Sequence, residues 1–126
     1  MILLIKQGDI MQDRINAMIE LIDLLNYKFN NGIKGKDLVK CARIVHGDEE
    51  YDKNCTIYKL KCSHTDQELL DFINSLNFEY DSGYGGQNLF GTIWLTNGSW
   101  ITRGEYDGSE WWEINSYPDI PSELSN

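Results

Sequence analysis

The stretch Leu89-Phe90-Gly91-Thr92-Ile93-Trp94-Leu95-Thr96-Asn97-Gly98-Ser99-Trp100-Ile101-Thr102-Arg103-Gly104-Glu105-Tyr106-Asp107-Gly108-Ser109-Glu110-Trp111-Trp112-Glu113-Ile114-Asn115 decides the fold. Asn97-Gly98 and Asp107-Gly108 both favour two-residue type I′ hairpin turns, because Asn, Asp and Gly reach positive φ at little cost. Each dipeptide is flanked by β-branched and aromatic residues, which pack well on a pleated surface. Together they predict a three-stranded antiparallel meander over about 89–96, 99–106 and 109–115.

Two-residue turns also set a register. Thr96 then pairs with Ser99, Leu95 with Trp100 and Thr92 with Arg103; across the second turn Tyr106 pairs with Ser109 and Arg103 with Trp112. One predicted face carries Phe90, Thr92, Trp94, Ile101, Arg103, Trp112 and Ile114. The other carries Leu89, Ile93, Leu95, Trp100 and Trp111, with Gly91 opposite Gly104 and Trp111 beside them. Both faces are apolar, so one is expected to cover a helix and the other to meet a partner chain, a ligand or a second layer.

Working outward, residues 12–30 read as a helix whose apolar stripe is Ile15, Met18, Ile19, Ile22, Leu25 and Phe29, with Asn26 inside it. Asn30-Asn31-Gly32 is a left-handed cap and Lys34-Gly35-Lys36 a turn. Leu38, Cys41, Ala42 and Val45 fit a short helix, although Arg43-Ile44-Val45 also suits a strand. Residues 55–62 alternate as a strand, and Thr65-Asp66-Gln67-Glu68 matches a capping box opening a helix over 66–76 that buries Leu69, Leu70, Phe72, Ile73 and Leu76. The glycine-rich run 81–87 lacks the flanks of a phosphate loop and reads as a mobile loop beside a binding site. The expected architecture is α+β: an antiparallel β-sheet including the C-terminal meander, packed with one long and one or two shorter helices. One domain over 1–126 is expected, with 1–10 a weakly attached N-terminal strand, since Met11 offers a second start.

Apolar content is 41% and charged content 25%, ordinary for a globular protein. No apolar run is long enough to span a bilayer, and Met1-Ile2-Leu3-Leu4-Ile5 is too short for a secretory signal. Three cysteines, an odd number, suit reduced thiols and a cytoplasmic setting. Charge is uneven: residues 1–63 hold ten Lys/Arg and nine Asp/Glu, whereas 64–126 hold Arg103 alone against eleven acids. Such a chain is a poor nucleic-acid binder, which needs a clustered basic surface. The acidic half either keeps the protein soluble or mimics a polyanion.

Arg103 is the only base in that half. Among aromatic planes, an arginine can fork onto the phosphate of a nucleotide whose base stacks alongside. It can equally form a structural ion pair with Glu105 or Glu110, stacked on Trp112. Catalytic signatures are missing: there is no GxSxG, HExxH or CxxC, and Asp48-Glu49-Glu50 lacks the spacing of a calcium loop. Cys41, His46, Cys62 and His64 are irregularly spaced for zinc. A binding protein without metal or cofactor is therefore expected, not an enzyme.

The tail from Gly91 to Glu113, followed by Pro118-Asp119-Ile120-Pro121, looks like the C-terminal signature of small bacteriophage proteins. The chain as a whole resembles the first Thoeris anti-defence family. The resemblance implies a sponge acting in the host bacterial cytoplasm. Members of that family bind cyclic ADP-ribose signals made by bacterial TIR proteins, sequester them without cleavage, and assemble as dimers and larger oligomers; some also hold cyclic oligonucleotides. Under that reading Phe90 and Trp94 stack the ligand, Arg103 meets phosphate, Asn97 reads polar groups, and Arg43 and Lys40 add positive charge. Capture then requires basic residues of the first half, or of another subunit, to converge on Arg103. The alternative is an acidic protein-binding inhibitor of another defence, such as an anti-CRISPR that mimics a polyanion.

Overall fold

The computed structural model describes residues 14–29, 35–51, 53–83 and 85–125. The expected N-terminal strand and the Asn30–Gly32 cap lie outside these residues. A five-stranded antiparallel sheet runs in the order β3-β2-β5-β6-β7, formed by β2 (Val39–His46), β3 (Thr56–Leu60), β5 (Leu89–Leu95), β6 (Trp100–Tyr106) and β7 (Ser109–Asn115). A second ladder pairs the short β1 (Arg14–Asn16) with β4 (Glu79–Asp81). The helices are α1 (Ala17–Phe29), the single turn α2 (Gly35–Leu38) and α3 (Asp66–Ser75). The α+β class and the meander are as the sequence predicts.

One buried cluster joins these elements. Ala17 and Leu21 of α1 and Leu69 and Phe72 of α3 meet Ala42, Ile44, Leu60, Leu89, Ile93, Leu95, Ile101 and Trp112 of the sheet. Ile44 and Ile101 have no exposed surface, and burying each contributes about 2–3 kcal/mol. At the start of α3, Glu68 N–H donates to Thr65 Oγ1 at 3.1 Å and Thr65 N–H to Glu68 Oε1 at 2.8 Å. The expected capping box is present.

Several expectations are corrected. Residues 39–46 form a strand, not a helix: β2 is the second strand of the sheet, hydrogen-bonded to β3 on one side and β5 on the other. Backbone pairing on both edges, with β-branched Val39, Ile44 and Val45, overrides the helical spacing. The long helix begins at Ala17, and its buried stripe is Ala17 and Leu21 with Met18, Leu24 and Leu25 partly covered. Ile19 is 52% exposed, and Asn26 is exposed and needs no buried partner. On α3, Leu70 is 54% exposed.

The largest correction concerns the first hairpin. Ile93 pairs with Ile101 and Trp94 with Trp100, so Thr96, Asn97 and Gly98 form a three-residue loop. Gly98 N–H donates to the Leu95 carbonyl at 3.3 Å, Leu95 N–H to the Ser99 carbonyl at 3.0 Å, and Gly98 has φ +90°. This is a type I turn followed by a left-handed glycine bulge, which the same Asn-Gly dipeptide also serves. A shift of one residue turns every β5 side chain to the opposite face relative to β6. The second hairpin keeps its predicted register, Tyr106 with Ser109 and Arg103 with Trp112, with Asp107 at φ +52° and Gly108 at φ +89°.

Candidate functional site

With the register settled, the two faces of the sheet have distinct chemistry. The inner face holds Leu89, Ile93, Leu95, Ile101, Arg103, Glu110 and Trp112, against the helices. The outer face holds Phe90, Thr92 and Trp94 of β5, Trp100 and Thr102 of β6, and Trp111 of β7. Across β2–β5, Val45 pairs with Phe90, Arg43 with Thr92 and Cys41 with Trp94, and directly paired residues share a face. Arg43 thus stands between Phe90 and Trp94 in the neighbouring row. No helix among the described residues covers this side; Trp94 is 44% and Trp111 38% exposed.

Two contacts hold aromatic rings here. Tyr117 of the tail packs on Trp100 at 5.2 Å between centroids. Trp111 lies over Gly104, where an added Cβ would sit 2.5 Å from the indole nitrogen, and its N–H donates to Glu113 Oε1 at 2.9 Å. Trp111 thus covers Gly104 alone, not the Gly91–Gly104 pair of the predicted register. Gly91 is instead needed for backbone approach: its φ is +139° and a Cβ would meet the Arg43 carbonyl oxygen at 2.3 Å.

The six residues expected at a ligand site divide. Phe90, Trp94 and Arg43 come together on the outer face. Arg43 makes two parallel hydrogen bonds to Glu49, at 2.9 and 2.8 Å. That bidentate bond holds the Glu49 carboxyl below its ordinary pKa and raises the Arg43 guanidinium. A depression of about 360 Å³ beside it is lined by Val45, Gly47, Asp48, Glu49, Glu50 and Phe90. Lys40 is exposed at a β-bulge, where the β2–β5 register slips between Val39 and Cys41. Asn97 is in the hairpin loop, its Oδ1 accepting from Ser99 N–H at 2.9 Å and Ser99 Oγ at 2.5 Å, so its role is to shape the turn.

Arg103 is on the opposite side of the sheet and its side chain is 2% exposed. Its Nη2 donates to Glu110 Oε1 and to the Tyr80 hydroxyl, each at 2.8 Å, and Nη1 lies 3.6 Å from Glu20 Oε2. Tyr80 in turn donates to Glu20 at 2.6 Å. Glu110 accepts from the backbone N–H groups of Asn88 and Leu89 at 2.7 and 3.0 Å. The guanidinium carbon sits 4.6 Å from the Trp112 ring centroid and 5.5 Å from that of Tyr80. One cation thus faces two carboxylates in a buried cluster in which its Nε and Nη1 make no hydrogen bond, and the two negative charges make it a poor receptor for phosphate. The structural alternative for Arg103 holds, with Glu110 as partner rather than Glu105. Burial, and then the bond to Glu20, push the Tyr80 hydroxyl far above its usual pKa. The glycine-rich run touches this cluster, since Ser82 is buried and its carbonyl accepts from Glu110 N–H at 2.8 Å.

Sequence reasoning missed Tyr80 and Glu20, which reach Arg103 from distant parts of the chain, and placed Trp100 and Trp111 on the wrong side from Trp94. A usable signal existed: only the shifted register gathers the aliphatic Leu89, Ile93, Leu95 and Ile101 on one face. The four zinc candidates do not assemble. His46 stacks on Phe78 at 4.3 Å, and His64 Nε2 lies 2.8 Å from the Val39 carbonyl. Among the described residues no three His, Cys, Asp or Glu converge as metal ligands, and no helix is long and apolar enough to cross a membrane. A groove of about 630 Å³ between β3 and α3 contains none of the expected ligand residues. No family model, curated protein or solved structure matches the chain.

Proposed function

We propose that this chain is a non-catalytic binding protein that sequesters a cyclic ADP-ribose-type nucleotide signal made by a bacterial TIR protein. The observation that supports this reading is the grouping of Arg43 between Phe90 and Trp94 on a sheet face that no described helix covers. The exposed Trp94 ring and the half-buried Phe90 ring supply stacking platforms for a purine, and the adjacent guanidinium suits a pyrophosphate. The ligand identity rests on the resemblance of the chain as a whole to the first Thoeris anti-defence family, and the sheet pairing supports a site on the outer face. Basic residues of the first half therefore meet the aromatic second half at Arg43, not at Arg103.

A sheet face walls a ligand on one side only, whereas tight small-ligand sites enclose most of the ligand surface. A second copy of the chain, laid on the same face, supplies the opposing wall and covers Trp94 and Trp111. Glu49 competes with the ligand for Arg43, so capture exchanges one anion for another. Titration of the purified protein with cyclic ADP-ribose isomers, followed by tryptophan fluorescence, tests the reading. Saturable binding that Trp94→Ala abolishes is expected; no change with any isomer contradicts it.

The acidic-inhibitor reading retains one supporting observation: of the eleven acids in residues 64–126, only Glu110 is buried. A steep loss of partner affinity with salt is its signature, while a stacked nucleotide loses less.

A further inference from the structure

We propose that Cys41 and Cys62 form an oxidisable thiol pair, which a peroxide closes into a reversible intramolecular disulfide. Two independent anchors bracket them. Ala42 pairs with Leu60 at the end of the β2–β3 ladder, and beyond it the His64 imidazole lies 2.8 Å from the Val39 carbonyl oxygen. Cys41 falls between Val39 and Ala42, and Cys62 between Leu60 and His64. Each cysteine is therefore confined to the same short gap, and the Cys62 thiol is near enough to perturb that of Cys41. Cys55 is excluded by its position: it precedes β3 and Cys62 follows it, a separation of about 20 Å along an extended strand.

The surroundings assign the order of reaction. Cys62 is exposed, in the turn after β3, whereas Cys41 is partly buried on the outer face opposite Trp94. Burial, and then the neighbouring Cys62 thiol, raise the Cys41 thiol pKa, so it is the slower nucleophile toward a dissolved oxidant. Hydrogen peroxide oxidises the Cys62 sulfur to sulfenic acid and is reduced to water. The Cys41 sulfur then attacks the sulfenic sulfur, forming the S–S bond and releasing the sulfenic oxygen as a second water. Two thiols and one peroxide thus yield one disulfide and two waters. The two sulfurs must approach to about 2.05 Å, and the exposed Cys62-Ser63 turn is the part that moves. A thiol restores the pair by exchange.

The inference is independent of which ligand the outer face binds. The test exposes the purified full-length protein to hydrogen peroxide, then maps cysteines by peptide mass spectrometry without reduction. A Cys41–Cys62 cross-linked peptide within one chain, cleaved by dithiothreitol, is expected. Cys55→Ser should leave it intact, while Cys41→Ser or Cys62→Ser should remove it. The proposal is overturned if both thiols survive, if Cys62 proceeds to sulfinic acid beside an unmodified Cys41, or if the link involves Cys55 or joins two chains.

Discussion

Arg103 Nη2 donates to Glu110 Oε1 across 2.8 Å, and the two side chains are 2% and 0% exposed. This pair ties the middle of β6 to the start of β7 beneath α1, through Glu20 and Tyr80. Removing one member leaves the other charge buried without its partner, the costly case for a buried ion pair. Arg103→Ala should lower unfolding stability by about 3–5 kcal/mol, measured by urea denaturation. A variant as stable as the parent contradicts the structural role given to Arg103.

On the outer face the expectation is opposite in kind. Trp94→Ala and Arg43→Ala remove exposed side chains, so melting should change little while nucleotide affinity falls by about tenfold or more. Glu49→Gln frees the Arg43 guanidinium and should raise affinity for an anionic ligand by about two- to fivefold. Calorimetric titration of the three variants checks the set. Weaker binding by Glu49→Gln contradicts competition for Arg43.

Two glycines should rank clearly. Gly91→Ala places a methyl against β2 backbone and forces a positive φ, so a loss of about 3 kcal/mol or more is expected. For Gly104→Ala the nearest atoms belong to the side chains of Trp111 and Glu113, which can swing outward, so about 1 kcal/mol is expected. Thermal melts of both variants decide; equal losses contradict the close β2–β5 approach at Gly91.

Tyr80 gives an alkaline signature. Its folded pKa is raised, chiefly by burial, above the ordinary value of 10.0. The unfolded chain therefore loses this proton first, and the stabilisation present below about pH 10 is lost as pH rises further. Tyr80→Phe should be less stable at neutral pH, lacking the bonds to Glu20 and Arg103, and should lose less stability than the parent above pH 10. Denaturation curves at pH 8 through 11 test this. Parallel pH profiles contradict it.

Local chemistry made much of this fold legible. Asp107-Gly108 specified its hairpin, Thr65 and Glu68 specified the start of α3, and the alternating aromatic run specified the meander. What escaped were choices that local sequence leaves degenerate. Asn97-Gly98 serves a two-residue loop or a three-residue loop with a bulge, and the burial of Ile101 on the same face as Leu89, Ile93 and Leu95 selects the second. Residues 39–46 satisfy both periodicities, and pairing on two edges selects the strand. Arg103 looked like a ligand residue because Tyr80 and Glu20, which close its cluster, are 23 and 83 positions away in the chain. The sequence reading named Phe90, Trp94 and Arg43, which share the outer face, but it did not separate them from Arg103 on the inner one.

The most direct test of the central claim is a native mass spectrum of the protein purified from cells co-expressing an active TIR signal-producing enzyme, beside the Trp94→Ala variant. The account predicts an oligomer of the parent carrying an intact cyclic ADP-ribose isomer, released unchanged on denaturation, and a folded but empty variant. An empty parent beside abundant free signal contradicts it.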